Sequence, residues 1–432
     1  MMRHLVIMLA GLLLLSLAPG GLCQGCAVSE DERPLLRDLE KKMIYSVDPS
    51  APPNPSILLA LRLAQDHNKS IERDMLNKLS QDAVQRAATY SSGLVALHIL
   101  AQEASCSDPR RVSANGSTID LVQLLKQKFE AELQNIQNYG NPLTNYYQLS
   151  LDVLALCQQN GRLLPAIAST LLSPDHKKYY FGSNFSVDTA AVAVLAQICL
   201  LTTRQSHLPM VYEKIRENVQ WLVDKILDEK SRDGVIGNIY STGLAMQALS
   251  VSSEYLKPRA WSCPQTLHRV LDEIPKGTFN NPMAASQIIP SLEGRSYLNV
   301  SELNCSMDPD NLPLSTPRPP PPTSPPPNIR VTYTAADGVG ITFNDSIRVT
   351  VPWGSVFLKV MEEAQNTDPS KFSFTYTSSS WGPYITSVRG LAANSTQHTY
   401  WQLLSNGSPL NQGAGDYVVS DGERLEVRFS TY

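Results

Sequence analysis

Six stretches of the chain are apolar nearly all the way round a helix, with small residues interspersed and few charges. They are 54–64 (NPSILLALRLA), 91–101 (SSGLVALHILA), 146–157 (YYQLSLDVLALC), 187–200 (VDTAAVAVLAQICL), 241–250 (STGLAMQALS) and 281–292 (NPMAASQIIPSL). A helix without a polar face is a buried one, and the alanine, serine and glycine here permit close approach of neighbours. More polar stretches alternate with them. The clearest, 119–135 (IDLVQLLKQKFEAELQN) and 211–229 (VYEKIRENVQWLVDKILDE), carry apolar residues at helical spacing and predict amphipathic helices. The six starts are spaced about 37 to 55 residues apart, room for one outer helix and its loops each. Inner helices alternating with outer ones predict a closed α6/α6 barrel over 24–310. An open helical solenoid is the alternative, disfavoured by the lack of a strict repeat length and by the cysteine count.

Beyond residue 327 the apolar period changes to two. The segments 329–334 (IRVTYT), 346–351 (SIRVTV), 372–376 (FSFTY) and 425–429 (LEVRF) alternate as half-buried strands, and 355–365 (SVFLKVMEEAQ) reads as one helix. Asp421-Gly422 is a strong turn. The prediction is a small α+β domain, mostly β, over 328–432. Its conspicuous feature is SSSWGPYITS, where Trp381, Gly382, Pro383 and Tyr384 interrupt the alternation. These residues read as a turn with exposed aromatics, suited either to sheet-edge packing or to burying a flat ligand. Between the two patterns lies 312–327 (LPLSTPRPPPPTSPPP), which can neither continue a helix nor pair in a sheet. Such a run favours polyproline II, so 311–327 reads as a semi-rigid linker. Two bodies on a stiff tether imply a cleft.

The first 23 residues stand outside this pattern. Arg3 and His4 precede the apolar run 5–17, and Gly21 and Cys23 suit cleavage positions −3 and −1, so 1–23 reads as a secretory signal peptide. Of seven cysteines, Cys23 leaves with that segment and six remain, all before the linker: Cys26, Cys106, Cys157, Cys199, Cys263 and Cys305. An even count in a secreted chain implies disulfides, although composition cannot choose among the possible connectivities. Asn-x-Ser/Thr sequons fall at Asn68, Asn115, Asn184, Asn299, Asn304, Asn344, Asn394 and Asn406. All but Asn304, whose sequon contains Cys305, are expected to carry glycans. The formal charge of −4 at pH 7 carries no basic patch for nucleic acid or membrane surface. The expected protein is secreted, extracellular and monomeric, without membrane insertion.

Candidate chemistry gathers where the inner helices begin. Thr144, Asn145, Tyr146 and Tyr147 precede or open the third, Ser186 and Asp188 the fourth, and Asn238, Tyr240, Ser241 and Thr242 the fifth. Gln287 interrupts the apolar run of the sixth. Helix capping explains Ser186, Asp188, Ser241 and Thr242 equally well, and packing explains the tyrosines. A buried amide such as Gln287 is harder to explain structurally, because an unpartnered one costs about 1–3 kcal/mol. Neutral hydrogen-bonders on four loops of one rim suit a ligand studded with amides. A glycosidase would need two carboxylates, but Asp188 is the only acid in these motifs, and Asp152 lies further along its helix without an evident partner. There is no HExxH, phosphate-binding glycine loop or Gly-x-Ser-x-Gly, and the seven histidines show no metal-ligand spacing. An enzyme is disfavoured, and a secreted glycan-processing enzyme on the same barrel is the remote alternative.

The segments PLTNYYQLSLDVLALC, FSVDTAAVAVLA, GNIYSTGLAMQALSV, NPMAASQIIPSL, SWGPYITS and TYWQLLSNGSPLNQGAGDY resemble the vitamin B12 carriers: transcobalamin, intrinsic factor and haptocorrin. The likeness spans essentially the whole chain and is greatest to the haptocorrin branch, particularly in TNYYQLSLDVLALC and KKYYFGSNFSVDT. The resemblance implies cobalamin, and corrinoid analogues, held as carried ligand between an α6/α6 barrel and a small β domain. Thr144, Tyr147, Asp188, Asn238 and Gln287 would contact it from the barrel, and Trp381, Tyr384 and Leu410 from the β domain. It also implies the disulfides Cys26–Cys263, Cys106–Cys305 and Cys157–Cys199, and a cell-surface uptake receptor as a possible partner. Transcobalamins carry a cobalt-ligating histidine where this chain has Phe185, so no protein ligand to cobalt is expected. Leu94 replaces the usual Gln or Glu of the second inner helix. An intrinsic factor-like carrier for receptor-mediated intestinal uptake is the alternative reading.

Overall fold

The computed structural model describes residues 26–47, 53–159, 164–181, 184–202, 209–257, 259–314, 328–379, 382–394, 397–410 and 412–431. The expected signal segment, Cys23, Trp381 and nearly all of the proline-rich run lie outside them. The six predicted inner segments are all helical: α2 (Pro55–Leu63), α4 (Ser92–Ala104), α6 (Tyr146–Gln158), α9 (Val187–Thr202), α11 (Thr242–Val251) and α13 (Pro282–Leu292). Their lack of a polar face matches their surroundings. All nine residues of α2 are buried, and α6 is buried from Tyr147 to Cys157. Packing runs from α2 to α4, α4 to α6, α6 to α9, α9 to α11, α11 to α13 and α13 back to α2.

Around these lie α1 (Arg33–Ser46) against α13, α3 (Lys69–Arg86) against α2 and α4, and α5 (Leu121–Tyr139) against α4 and α6. The helices α7 (Leu164–Leu171) and α10 (Pro209–Asp228) pack together over α9, the short α8 (His176–Tyr179) adjoins it, and α12 (Cys263–Leu271) lies on α11. A 3-10 segment, Tyr297–Glu302, touches α2, α4 and α9, and Gln247 of α11 accepts the Tyr297 N–H at 3.1 Å. Disulfides join Cys26 to Cys263, Cys106 to Cys305 and Cys157 to Cys199, the last tying α6 to α9.

The C-terminal part has its own core, built on Tyr333, Phe357, Phe372, Trp401 and Phe429, and the apolar clusters of the helical part do not enter it. Numbering strands within this part, β1 (Asn328–Asp337) pairs antiparallel with β2 (Asn344–Pro352) and parallel with β7 (Arg424–Thr431). β7 in turn pairs with β5 (Thr399–Ser405), and β5 with the short β6 (Ser408–Pro409) at the edge. The helix α14 (Phe357–Thr367) covers β1 and β2. The aromatic turn expected around 381–384 takes another form. Gly382–Val388 is a strand, β4, paired antiparallel with β3 (Phe374–Ser379), so Tyr384 stands on a sheet rather than a loop. Gly382 has φ +87°, a conformation that favours glycine. That glycine followed by proline imitates a turn in sequence.

Candidate ligand-binding cleft

A cavity of about 780 Å³ opens between the helical part and the β part, within the range of small-molecule sites. The loop entering α6 supplies Asn141, Leu143, Thr144, Asn145 and Tyr146, and α4 begins beside it at Ser91. The short α8 brings His176, Lys177 and Lys178, with Tyr180 following. From the β part come Thr377 of β3, Tyr384 and Thr386 of β4, and Asn394, His398, Thr399 and Tyr400. Hydroxyls, amides and phenols dominate this wall. Among the described residues no Asp or Glu lines it, and its ionisable side chains besides the tyrosines are His176, Lys177, Lys178 and His398.

Hydrogen bonds link the two parts at two places among the described residues. Asn141 Nδ2 meets His398 Nε2 at 3.4 Å beside the cavity. At the start of α13, Asn281 Nδ2 donates to the Asp416 carbonyl at 2.8 Å while its Oδ1 caps the helix at Met283 N (2.7 Å). Burial pushes the Asp416 carboxyl up to about 6, with the nearby Asn281 side chain opposing the shift.

Of the expected ligand residues, the cavity brings Thr144 and Tyr384 together, with Asn145 and Tyr146 beside them. Tyr147 is buried, and burial raises its phenol well above the usual range, with added repulsion from Tyr297 and Asp188. Asp188 lies in the first turn of α9 but does not cap it; Ser186 Oγ accepts the Thr189 N–H instead, at 3.3 Å. The carboxyl is left with a buried Oδ1 that has no hydrogen-bond partner, and burial pushes it up to about 7. Asn238 is committed to its own loop, where Oδ1 accepts from Tyr240 N at 2.9 Å and Ser241 N at 3.0 Å. Ser241 and Thr242 brace the same loop by donating to Ile236 O and Asn238 O. Gln287 is half-buried on α13, and Leu410 packs against the β core; neither lines this cavity. Trp381 is outside the described residues. Phe185, at the expected position of a cobalt ligand, packs against Tyr180 and Trp221, and Leu94 is buried in the helical core.

Three groups escaped the sequence reading. The basic run 176–178 looks like any solvated charge cluster, yet Lys178 is half-buried and stacks on Tyr146 at 5.7 Å. His398 has a positive φ of 55° in a stretch without apolar pattern. Glu132 sits four residues after Lys128, the spacing of an exposed helical ion pair, but it is 2 % exposed and reaches inward from α5. Its Oε2 accepts from Leu143 N at 2.6 Å and Thr144 N at 3.1 Å, and its Oε1 from Thr144 Oγ1 at 2.7 Å and Ser92 Oγ at 3.1 Å.

Several known proteins resemble this chain along nearly its whole length. Residues 8–326 match the eukaryotic cobalamin-binding protein family, and residues 354–431 match a domain of unknown function. Transcobalamin-1 of Homo sapiens is 42% identical, covering 98% of both chains. Cobalamin binding intrinsic factor of Homo sapiens is 36% identical over 94% of each. A crystal structure of haptocorrin in complex with Cbi superposes with a TM-score of 0.75 at 40% identity, covering 94% of this chain and 99% of that one. The chain belongs to the eukaryotic cobalamin-binding protein family.

Proposed function

We propose that this protein is a secreted, glycosylated, non-enzymatic carrier that encloses cobalamin and corrinoid analogues between its helical and β parts, in the manner of haptocorrin. The observation that carries this reading is the cavity lined from both parts by neutral hydrogen-bonders and aromatics, in a chain that is kin to cobalamin-binding proteins from end to end. Corrin presents acetamide and propionamide arms around two flat faces, and this wall offers amides and hydroxyls to the former and Tyr146, Tyr180, Tyr384 and Tyr400 to the latter. Thr144, Tyr147, Asp188, Asn238 and Gln287 are the proposed contacts on the helical side. Trp381, Tyr384 and Leu410 are proposed on the β side. Phe185 leaves the upper cobalt position to the vitamin or to solvent.

The cycle of packing from α2 through α13 supports an α6/α6 barrel, and the separate cores support domains at 24–310 and 328–432 joined by the linker 311–327. Ligand docks on one domain, and the tether keeps the other at high effective concentration, so release requires both to part. Secretion rests on the apolar run of 1–23 together with three disulfides. Among the described residues no helix is long and apolar enough to cross a membrane.

Titration with aquocobalamin, then displacement with cobinamide, tests the proposal. Stoichiometric retention of both through gel filtration is the expected result. Retention of cobalamin with rejection of cobinamide would move the chain to the intrinsic factor-like reading, and retention of neither would overturn the carrier.

A further inference from the structure

The loop 141–145 forms one wall of the cavity, and Glu132 holds it from behind. Peptide N–H groups only donate, so Oε2, which receives two of them from Leu143 and Thr144, must be an acceptor. A second acid lies nearby. Asp152 is fully buried, and burial together with the nearby Glu132 raises it well above the usual carboxylate range, against an opposing contribution from Ser92. Glu132 Oε1 accepts from the Thr144 hydroxyl at 2.7 Å and from Ser92 Oγ at 3.1 Å, so Thr144 spends its only hydrogen there. What Thr144 has left for the cavity is lone pairs.

We propose that Glu132 is a positioning residue that fixes Thr144 as a hydrogen-bond acceptor, so that a ligand arm seated at Thr144 is taken as a carboxamide, through its N–H, in preference to a carboxylate. The inference rests on the carrier reading and adds a specificity to it. A corrin arm ending in an amide satisfies Thr144. The same arm hydrolysed to an acid brings no donor at neutral pH and sets its charge against lone pairs backed by a carboxylate.

Glu132→Gln reverses the arrangement without changing shape. One amide orientation keeps Oε1 on the two peptide N–H groups and turns Nε2 towards Thr144 Oγ1 and Ser92 Oγ. The Thr144 hydroxyl then accepts from Gln and is free to donate into the cavity. The test compares retention of cobalamin with that of its separated monocarboxylic acid derivatives, in wild type, Glu132→Gln and Thr144→Val. In wild type at least one derivative should bind weaker by on the order of tenfold. Glu132→Gln should shrink or invert that ratio for the same derivative. Thr144→Val, which has no hydroxyl, should shrink it too, and this variant serves as the test if Glu132→Gln does not fold. A purely structural role for Glu132 would weaken all corrinoids alike. Equal ratios in wild type and either variant would therefore overturn this inference alone. Failure of wild type to retain any corrinoid would overturn the carrier reading and this inference with it.

Discussion

Asp188 makes the carrier's pH response a quantitative matter. Its residue is half-buried, its Oδ1 is sealed from water without a partner, and burial moves its carboxyl from 3.8 to about 7. A carboxyl raised on folding keeps a proton that the unfolded chain has lost. Its stabilising contribution is therefore whole below about pH 4, falls as pH climbs to about 7, and is flat above. The full elevation corresponds to about 4 kcal/mol, and partial solvent access brings this to on the order of 2 kcal/mol. Asp188→Asn removes the titration while preserving shape. Chemical denaturation of ligand-free protein at pH 4.5 and 7.5 should then show the wild type losing about 2 kcal/mol more than the variant across that interval. Binding should run the other way. A ligand amide that donates to the carboxylate favours the ionised form, so wild-type affinity should fall by up to about tenfold per pH unit below 7, whereas Asp188→Asn should be flat. Parallel pH profiles for the two proteins, in both stability and affinity, would refute the assignment of this group.

Three further outcomes follow from the geometry. Breaking Cys157–Cys199 with paired serines opens a loop of 42 residues between α6 and α9 and should cost about 4 kcal/mol by the chain-entropy estimate, visible as a lower denaturation midpoint in the unliganded protein. Asn68 caps α3 through Oδ1 to Ile71 N and donates from Nδ2 to Leu312 O; Asn299 accepts the N–H of Ser296, the cap of the 3-10 segment, and donates from Nδ2 to Glu302. Both are glycan acceptors by sequence, but their Nδ2 atoms are engaged in the folded chain, so glycopeptide mapping should find both unmodified and Asn115, exposed at the tip of the hairpin Val112–Ala114/Ser117–Ile119, occupied; Asn68→Ala should cost about 1 kcal/mol without loss of glycan mass. Asn281→Asp keeps the cap of α13 but loses the donor to Asp416 O. It should speed corrinoid release on the order of tenfold with the denaturation midpoint nearly unchanged, measured by exchange against excess free ligand.

How much of this was legible depended on whether a residue's role is local. The six apolar helices could be read because burial on all sides leaves no polar stripe. Arg62 in α2 violates that rule and is tolerated because Glu72 and Asp308 meet it. Strands β1, β2 and β7 could be read from their alternation, but β5 could not. It runs beside β7 in the body of the sheet with both faces partly covered, so TYWQLLS shows no period of two. The same division holds at the cleft. Thr144, Asn145 and Tyr146 announce themselves because polar residues at the mouth of an apolar helix need a reason. Capping supplies that reason only for Asn145, whose Oδ1 accepts from Gln148 N at 3.0 Å. Asp188 was ambiguous in sequence because any acid in a first turn imitates a cap; the structure resolves it by giving the capping bond to Ser186. Glu132 could not be found this way. Peptide N–H groups in a loop without sheet partners require an acceptor, so Leu143 and Thr144 imply that one exists. Which side chain provides it depends on how α5 packs against α6, and that is a property of the fold rather than of any segment.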